Sequence, residues 1–379
     1  MNRGPRIHPT KLLLLLGAII GGMCAIAGSA ASQPVLPPID YGILGISGPY
    51  AYGQAQGAGD PRVHREHRAF NVTNGSWESL GPLPYIQRPK FSRYGIAGVD
   101  EESGPTSSTV YLAKRGEAAR ILQRFENAPV SACATSTHVM HLSDSGETTV
   151  RRVVYKPGKR CELDHKRTKL YRYSNSGVRR TLRVPPRFLQ TLQLSSPIEV
   201  NRKLIAVAGT EANGRTARVV FFNISRRKVV RVFRRPARGG FMSVQLSDTG
   251  SVLVDRRGYV GKTQPDGFHE LWFSRSIRTR PTRIYRRSTE DYKFDFDPIL
   301  CGSHVALTEG DILTWPFSPT EQWLRIINRR GRTVILRRPG LALHVRRVMC
   351  GTRYLLYSTD SSRPEISSVN YAVDLLRDR

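Results

Sequence analysis

The residues whose types and spacing most clearly suggest chemistry are two arginine pairs in one predicted hairpin. The stretch ARVVFFNISRRKVVRVFRR holds two runs of β-branched and aromatic residues, which are typical of β-strands. Arg226 and Arg227 lie in the turn between the runs, and Arg234 and Arg235 close the second run. These cations could form a basic belt that binds polyanions. They could also be a solvated rim, or charge that keeps an exposed strand edge from pairing with another chain.

A second candidate site is the acidic pair in DYKFDFDP, residues 291–298. Phe294 and Phe296 alternate with Asp295 and Asp297, so both carboxylates would lie on one face of a strand. If that strand lined a central channel, the pair could bind a cation or a cationic ligand group. The alternative is that the two carboxylates form ion pairs with arginines of a neighbouring element.

Two histidine pairs have a spacing found in metal sites, His64 with His67 and His138 with His141. The second pair lies in a run that is typical of a strand. Because residues three apart on a regular strand point to opposite faces, we predict no metal site. The sequence also has no G-x-S-x-G, H-E-x-x-H or Walker A motif, so it indicates neither a catalytic residue nor a cofactor.

The first 31 residues have the three parts of a signal peptide. Basic residues precede the apolar run LLLLLGAIIGGMCAIAG, and Ser29-Ala30-Ala31 supplies small residues for cleavage. We therefore predict that residues 1–31 are removed. The mature protein, 32–379, would be secreted or extracytoplasmic, in the cell envelope, with no transmembrane span. An uncleaved anchor and a lipoprotein modified at Cys24 are the alternatives.

In an exported protein, the cysteines that remain after cleavage can form disulfides. Cys133, Cys161, Cys301 and Cys350 could form two disulfides in any of three connectivities. Proximity in the sequence favours Cys133–Cys161 and Cys301–Cys350.

Export also determines which partners the positive charge of the chain favours. A net charge of +29, from 59 basic and 30 acidic residues, favours polyanionic partners. Outside the cytoplasm we do not expect nucleic acid, and the candidates become anionic glycans, cell-wall polymers and lipid headgroups. The alternative is that arginine-rich usage only decorates the surface.

The predicted hairpin recurs at intervals of about 50 residues. Similar copies begin at Leu170, Leu271 and Leu324, weaker copies at Ala69 and Val110, and a single matching strand at Val369. Further strand pairs lie between the hairpins, including two that share the turn Leu-Ser-Asp-x-Gly. Four-stranded units at this period indicate an all-β protein, a β-propeller. We favour seven blades, with six or eight possible, and PVLPPIDYGILGIS, residues 34–47, could supply the outermost strand of the last blade.

The pattern of strands and Asp-Gly turns resembles exported bacterial propellers of the TolB-like kind. One unit, AFNVTNGSWESLGPLP, is similar to the end of a kelch blade, through Trp77 and the exit Leu-Gly-Pro-Leu-Pro, although it lacks the Gly-Gly pair of that family. The resemblance implies a propeller over most of residues 40–379. It transfers no catalytic residue, because this fold carries many functions.

Together these observations predict an exported propeller that acts as a binding module for an anionic glycan, a wall polymer or a protein partner. The first alternative is an enzyme on the same scaffold, such as a polysaccharide lyase, a hydrolase or a sugar dehydrogenase. An enzyme would gather titratable side chains from several blades at one mouth of the channel. A purely structural shell protein is the third possibility.

Overall fold

The described part of the chain consists of β-strands, turns and connecting segments, without a helix. The computed structural model describes residues 41–55, 65–84, 86–100, 107–126, 135–156, 162–163, 168–185, 198–210, 215–237, 241–259, 267–288, 293–295, 298–311, 321–337, 345–351, 353–359 and 369–375. No helix within these ranges is long and apolar enough to cross a membrane.

The first three blades are four-stranded antiparallel meanders. Blade 1 contains β1 (Tyr41–Ser47), β2 (Tyr50–Ala55), β3 (Arg65–Asn71) and β4 (Trp77–Leu83). Blade 2 contains β5 (Gln87–Phe91), β6 (Gly95–Asp100), β7 (Ser107–Lys114) and β8 (Arg120–Glu126). Blade 3 contains β9 (Ser136–Leu142), β10 (Thr148–Val153), β13 (Lys169–Tyr173) and β14 (Arg179–Leu182), with the short hairpin β11 (Tyr155–Lys156) and β12 (Glu162–Leu163) inserted.

Blades 4 to 6 follow the same plan, and a smaller sheet comes last. Blade 4 contains β15 (Ile198–Val200), β16 (Leu204–Thr210), β17 (Thr216–Asn223) and β18 (Lys228–Pro236). Blade 5 contains β19 (Phe241–Leu246), β20 (Val252–Tyr259), β21 (Gly267–Ser274) and β22 (Thr282–Ser288). Blade 6 contains β23 (Lys293–Asp295) and β24 (Ile299–Cys301), both paired with β25 (His304–Asp311), then β26 (Glu321–Asn328) and β27 (Thr333–Arg337). The seventh sheet contains β28 (Val345–Cys350), β29 (Tyr354–Thr359) and β30 (Val369–Asp374).

The sheets form a closed ring. The first strands of adjacent sheets contact one another in the order β1, β5, β9, β15, β19, β24, β28 and back to β1. First strands therefore surround the centre, and fourth strands form the rim. Within an antiparallel meander, the turn after the first strand (the inner turn) and the turn after the third strand (the outer turn) lie at the same end of the blade.

Seven apolar clusters of described residues fill the spaces between neighbouring sheets. Val252 and Val254 of β20 pack against blade 4, whereas Leu253 between them packs against blade 6. Because successive side chains of a strand point to opposite faces, a strand between two neighbours must be apolar throughout. The cluster that holds Ile43 of blade 1 and Met349 of the seventh sheet closes the ring.

The predicted all-β propeller is confirmed. The recurring hairpins are the third and fourth strands of the six four-stranded blades, and the strand at Val369 is the third strand of the seventh sheet. The expected closure by residues 34–47 was wrong for Tyr41–Ser47, which pairs with β2 as the innermost strand of blade 1. Its apolar side chains are needed there against the seventh sheet. Residues 34–40 lie outside the described ranges.

Candidate functional site

The outer turn of blade 4 is held by Asn223. The Oδ1 atom of Asn223 accepts hydrogen bonds from the Arg226 backbone N–H at 2.8 Å and from the Ser225 hydroxyl at 2.9 Å. Arg227 follows with a φ of 50°, a left-handed conformation that is uncommon for a residue with a Cβ atom. The turn therefore presents two exposed arginines from a fixed backbone.

The outer turn of blade 1 has the same length but different chemistry. It runs from Asn71 to Ser76, and Gly75 occupies the left-handed position with a φ of 74°. Glycine adopts this conformation freely, whereas an arginine there costs about 1 kcal/mol. Strained residues cluster at functional sites. Among the described residues, Arg88 and Arg227 are the two non-glycine residues with a positive φ, and Arg227 makes the outer turn of blade 4 a candidate functional element.

A groove of about 660 Å³ lies between the outer turns of blades 4 and 5. Four basic residues and several uncharged ones line it: Arg226, Lys228, Arg231 and Arg278, with Asn223, Val229, Val230 and Ile277. Arg231 is fixed across the boundary, because its Nη1 atom donates to the Ile277 carbonyl at 2.6 Å. None of the described lining residues is acidic. The groove is in the size range of ligand sites, and its charges suit carboxylate, sulfate or phosphate groups.

Cations continue along the boundary between blades 4 and 5 beyond the groove. The rings of Phe233 on β18 and Trp272 on β21 pack with their centroids 5.7 Å apart. The guanidinium carbon of Arg235 lies 4.2 Å from the Trp272 ring centre, and that of Arg283 lies 6.0 Å from it. The aromatic faces hold these guanidinium groups by cation–π attraction, which does not neutralise their charge.

Among the described residues, one carboxylate, that of Glu270, contacts this row of cations. Its side chain accepts hydrogen bonds from Arg256 at 2.7 Å and from Trp272 and Arg283 at 3.3 Å, and Arg286 lies 3.9 Å away. Burial opposes ionisation of Glu270, but these hydrogen bonds hold its pKa below the ordinary value. A single negative charge is thus shared by three arginines.

The excess of positive charge affects the pKa of Arg235. Burial and the like charges of Arg256 and Arg280 lower the pKa of Arg235, against the attraction of Glu270. We call the whole surface the basic seam. It consists of Arg226, Lys228, Arg231, Arg235, Arg278, Arg283 and Arg286.

The structure separates the four arginines that the sequence singled out. Arg226 lines the groove and Arg235 lies further along the seam. Arg227 is exposed in the same turn as Arg226, and Arg234 is exposed on β18. Their role in binding stays a prediction.

The side chains of the acidic pair, Asp295 and Asp297, lie outside the part of the chain that the structure describes. Asp295 ends the short strand β23, of which only the backbone is described, and Asp297 lies outside the described ranges. Binding by this pair also stays a prediction.

The inner turns of several blades are cross-linked to one another. The Asp144 carboxylate accepts a hydrogen bond from the Arg93 backbone N–H at 2.8 Å, joining blades 2 and 3. Three further contacts join other blades: Arg202 to Glu147 at 3.2 Å, Asn201 to the Ser247 carbonyl at 3.0 Å, and His141 to Asp248 at 2.5 Å. The last of these joins blades 3 and 5, past the inner strand of blade 4. Cations and carboxylates at this end of the channel therefore neutralise each other.

A disulfide completes the links between inner turns. Cys301 ends β24 and Cys350 ends β28, and the two are bonded with their Cα atoms 5.3 Å apart. This pairing confirms the sequence prediction. Cys133 and Cys161 lie outside the described ranges, so their pairing stays a prediction.

The inner strand of blade 4 carries a carboxylate close to these links. Glu199 on β15 is partly buried, and burial raises its pKa, against the positive charges of Lys90 and His141. No hydrogen bond satisfies the carboxylate among the described residues. It is therefore an isolated acid in an otherwise paired region.

The two histidines of β9 do not point to opposite faces, so that part of the sequence argument was wrong. Cα pairing places His138 opposite Arg151 and His141 opposite Thr149, with a bulge between them. A bulge inserts one extra residue, and residues three apart then return to the same face. Even so, the described residues contain no group of three or more His, Cys, Asp or Glu that could hold a metal. His64 lies outside the described ranges, while His67 is buried on β3.

Sequence reasoning missed a set of buried charges in blades 5 and 6. His269 lies 2.8 Å from Asp255, both almost fully buried, and Glu309 accepts hydrogen bonds from Tyr285 at 2.7 Å and Arg325 at 3.0 Å. Charged residues inside predicted strands, as in VLVDRR and FHELWF, were the available signal. Their tight packing indicates a structural role between strands, since buried charges are retained only when paired.

Comparisons with known proteins show the fold and no family. No family model matches the sequence, and no curated protein sequence matches it. Among solved structures, a prolyl endopeptidase is similar over 98% of this chain and 54% of its own length, with a TM-score of 0.55 and 11% identity. The uncharacterized protein lmo1340 from Listeria monocytogenes is similar over 92% of this chain and 98% of its own, with a TM-score of 0.51 and 10% identity.

TolB from Acinetobacter baumannii is a third similar structure. The match covers 74% of this chain and 62% of TolB, with a TM-score of 0.39 and 12% identity. The chain spans about half the length of the endopeptidase and under two thirds of TolB. The chain is a β-propeller, its fold is similar to those of the endopeptidase and of lmo1340, and the comparisons assign it to no family.

Proposed function

We propose that the protein is an extracytoplasmic binding module that takes an anionic ligand, such as a glycan or a wall polymer, in the groove between blades 4 and 5. The observation that carries this proposal is the lining of the groove, in which Arg226, Lys228, Arg231 and Arg278 stand together without a carboxylate among the described residues. Export, predicted from residues 1–31, directs the choice of ligand toward surface polymers.

The same lining favours binding over catalysis. General acid–base chemistry at neutral pH needs a group such as His, Asp or Glu within hydrogen-bond reach of the substrate. The described residues of the groove offer only guanidinium and ammonium groups, one amide and aliphatic side chains. Among these described lining residues, Lys228 is the one side chain of a type that commonly serves as a general base. The lining is therefore better suited to hold and orient an anion than to carry out acid–base chemistry.

The test is a titration of the purified protein with a sulfated, a carboxylated and a neutral polysaccharide over a salt series. We expect the anionic polymers to bind, the neutral one not to bind, and affinity to fall steeply as salt rises. Replacing Arg226, Lys228 and Arg278 by alanine should weaken binding by roughly 30- to 150-fold, at about 0.7–1 kcal/mol per charge.

The matched control lies on the outer turn of blade 6. Arg330 and Arg332 are exposed on a turn that Asn328 caps in the same way, and they do not line the groove. Arg330→Ala with Arg332→Ala should change affinity by less than about threefold. Equal losses in the two variants would mean that net charge alone attracts the polymer. An absence of binding at low salt would refute the proposal. Binding of acidic proteins alone would replace the polymer by a protein partner.

A further inference from the structure

The basic seam is longer than the groove, and its extent constrains the shape of the ligand. β18 and β22 both start at the outer turns and run to the opposite face of the ring. Three contacts keep β18 beside blade 5 along its length: Arg231 with the Ile277 carbonyl at 2.6 Å, Phe233 with Trp272 at 5.7 Å, and the Pro236 carbonyl with Arg256 at 2.7 Å.

The spacing of the cations can be estimated from strand geometry. Lys228, Arg231 and Arg235 follow one another along β18. The pairing of β17 with β18 contains a bulge between Val229 and Arg231. Strand rise is about 3.3 Å per residue, so Lys228 and Arg235 lie roughly 20 Å apart. The opposite side of the seam repeats the series with Arg278 at the turn and Arg283 and Arg286 on β22.

The far end of the seam is accessible as well as charged. The side chains of Arg283 and Arg286 are 44% and 56% exposed. Both contact Glu270, but this carboxylate is already bonded to Arg256. The far end thus keeps a net positive charge that a ligand in the groove alone would not reach.

We propose that the ligand is a linear anionic polysaccharide that lies along the whole basic seam, from the groove to Arg283 and Arg286. This inference rests on the proposed function. It adds that the ligand is linear, that it lies along the seam, and that it is a polysaccharide. A small anionic ligand confined to the groove would leave the far cations unused. The aliphatic lining of the groove, Val229, Val230 and Ile277, gives non-polar contact to sugar rings.

The test uses sulfated oligosaccharides of two, four and eight sugar units with the intact protein. Affinity should rise at least tenfold from two units to eight, because only the longer chains span roughly 20 Å. Arg283→Ala with Arg286→Ala should weaken binding of the eight-unit chain about tenfold. The same variant should change binding of the two-unit chain less than twofold. The groove variant at Arg226, Lys228 and Arg278 should weaken both.

The outcomes separate the two proposals. Equal affinity for all lengths, or no effect of the far-end variant on the eight-unit chain, overturns the linear ligand and leaves anion binding at the groove intact. Loss of all binding overturns both. Single-stranded DNA of matched charge is the remaining arm: if it binds as tightly as the eight-unit chain, with the same length dependence, the assignment to polysaccharide is wrong. Arg330→Ala with Arg332→Ala serves again as the control, and circular dichroism checks that each variant is folded.

Discussion

The inner turns and the basic seam use the same charged residue types in opposite ways. At the inner turns, Arg202 faces Glu147 and His141 faces Asp248, and the remaining links are hydrogen bonds and a disulfide. In the seam, the one carboxylate found among the described residues, Glu270, contacts two of the seven cations, Arg283 and Arg286. The paired charges join blades 3, 4 and 5 to one another, whereas seam cations without a described counter-charge remain available to a ligand. The contrast supports the proposal that a ligand binds at the rim between blades 4 and 5.

The largest expected effect tests the structural role of the inner turns. Cys301→Ser with Cys350→Ser removes a cross-link over a separation of 49 residues. Chain entropy then predicts a loss of about 4 kcal/mol in the free energy of unfolding. Denaturant titration measures it, and polyanion affinity below the transition should not change. A stability loss below about 1 kcal/mol would show that the apolar clusters alone hold the ring closed.

The next effect tests the one carboxylate of the seam. Glu270 and Arg256 form an ion pair with both side chains under 10% exposed. Glu270→Gln leaves Arg256 buried without a counter-charge and should cost about 3 kcal/mol of stability. Polyanion binding should stay the same or strengthen, because the seam gains one positive charge.

The control for this variant is an exposed ion pair. Glu66 contacts Arg68 at 2.7 Å with both side chains about half exposed. Glu66→Gln should cost less than about 0.5 kcal/mol. Weaker polyanion binding by the Glu270→Gln variant would mean that Glu270 positions the arginines rather than merely pairing with them.

A smaller effect should separate stability from binding at the outer turn of blade 4. Arg227→Gly gives this turn the residue that blade 1 has at Gly75, and should raise the free energy of unfolding by up to about 1 kcal/mol. It also removes one charge beside the groove, so affinity for anionic polymers should fall about threefold. Thermal melting and the binding titration measure the two effects. Unchanged affinity would mean that Arg227 does not contact the ligand.

The smallest effect concerns Glu199 and depends on pH. Its pKa is raised by burial, so the folded protein binds the proton of this group more tightly than the unfolded chain does. The contribution of this group to the free energy of unfolding is fully present below the ordinary glutamate pKa of about 4.3. It is lost as pH rises through the higher pKa that Glu199 has in the folded protein. Glu199→Gln should therefore raise the melting temperature at pH 7 and have little effect at pH 4.

Glu66 provides a control of opposite sign. The hydrogen bond from Arg68 lowers the pKa of Glu66, so Glu66→Gln should lower the melting temperature slightly at pH 7. If Glu199→Gln also destabilises at pH 7, Glu199 is paired rather than isolated.

The sequence by itself determined the architecture and little of the site. A period of about 50 residues and the two-residue alternation of apolar side chains follow from strand geometry, which is local, so the outer hairpins could be located from the sequence alone. Proximity in the sequence favoured the pair Cys301–Cys350, and the structure shows that each cysteine ends the innermost strand of its sheet. The bulge in β9 escaped prediction, since it depends on pairing with β10.

Only the tertiary structure decided which arginines remain without carboxylate partners. Arg202 and Arg226 look alike in sequence, but packing of blade 4 beside blade 3 gives Arg202 the carboxylate of Glu147. Packing beside blade 5 gives Arg226 a groove shared with Arg278. The partners come from different repeats, tens of residues away along the chain, and Coulomb attraction depends on distance in space. The fold can therefore be predicted from the local periodicity of the sequence, whereas the candidate site is formed by the packing of two blades.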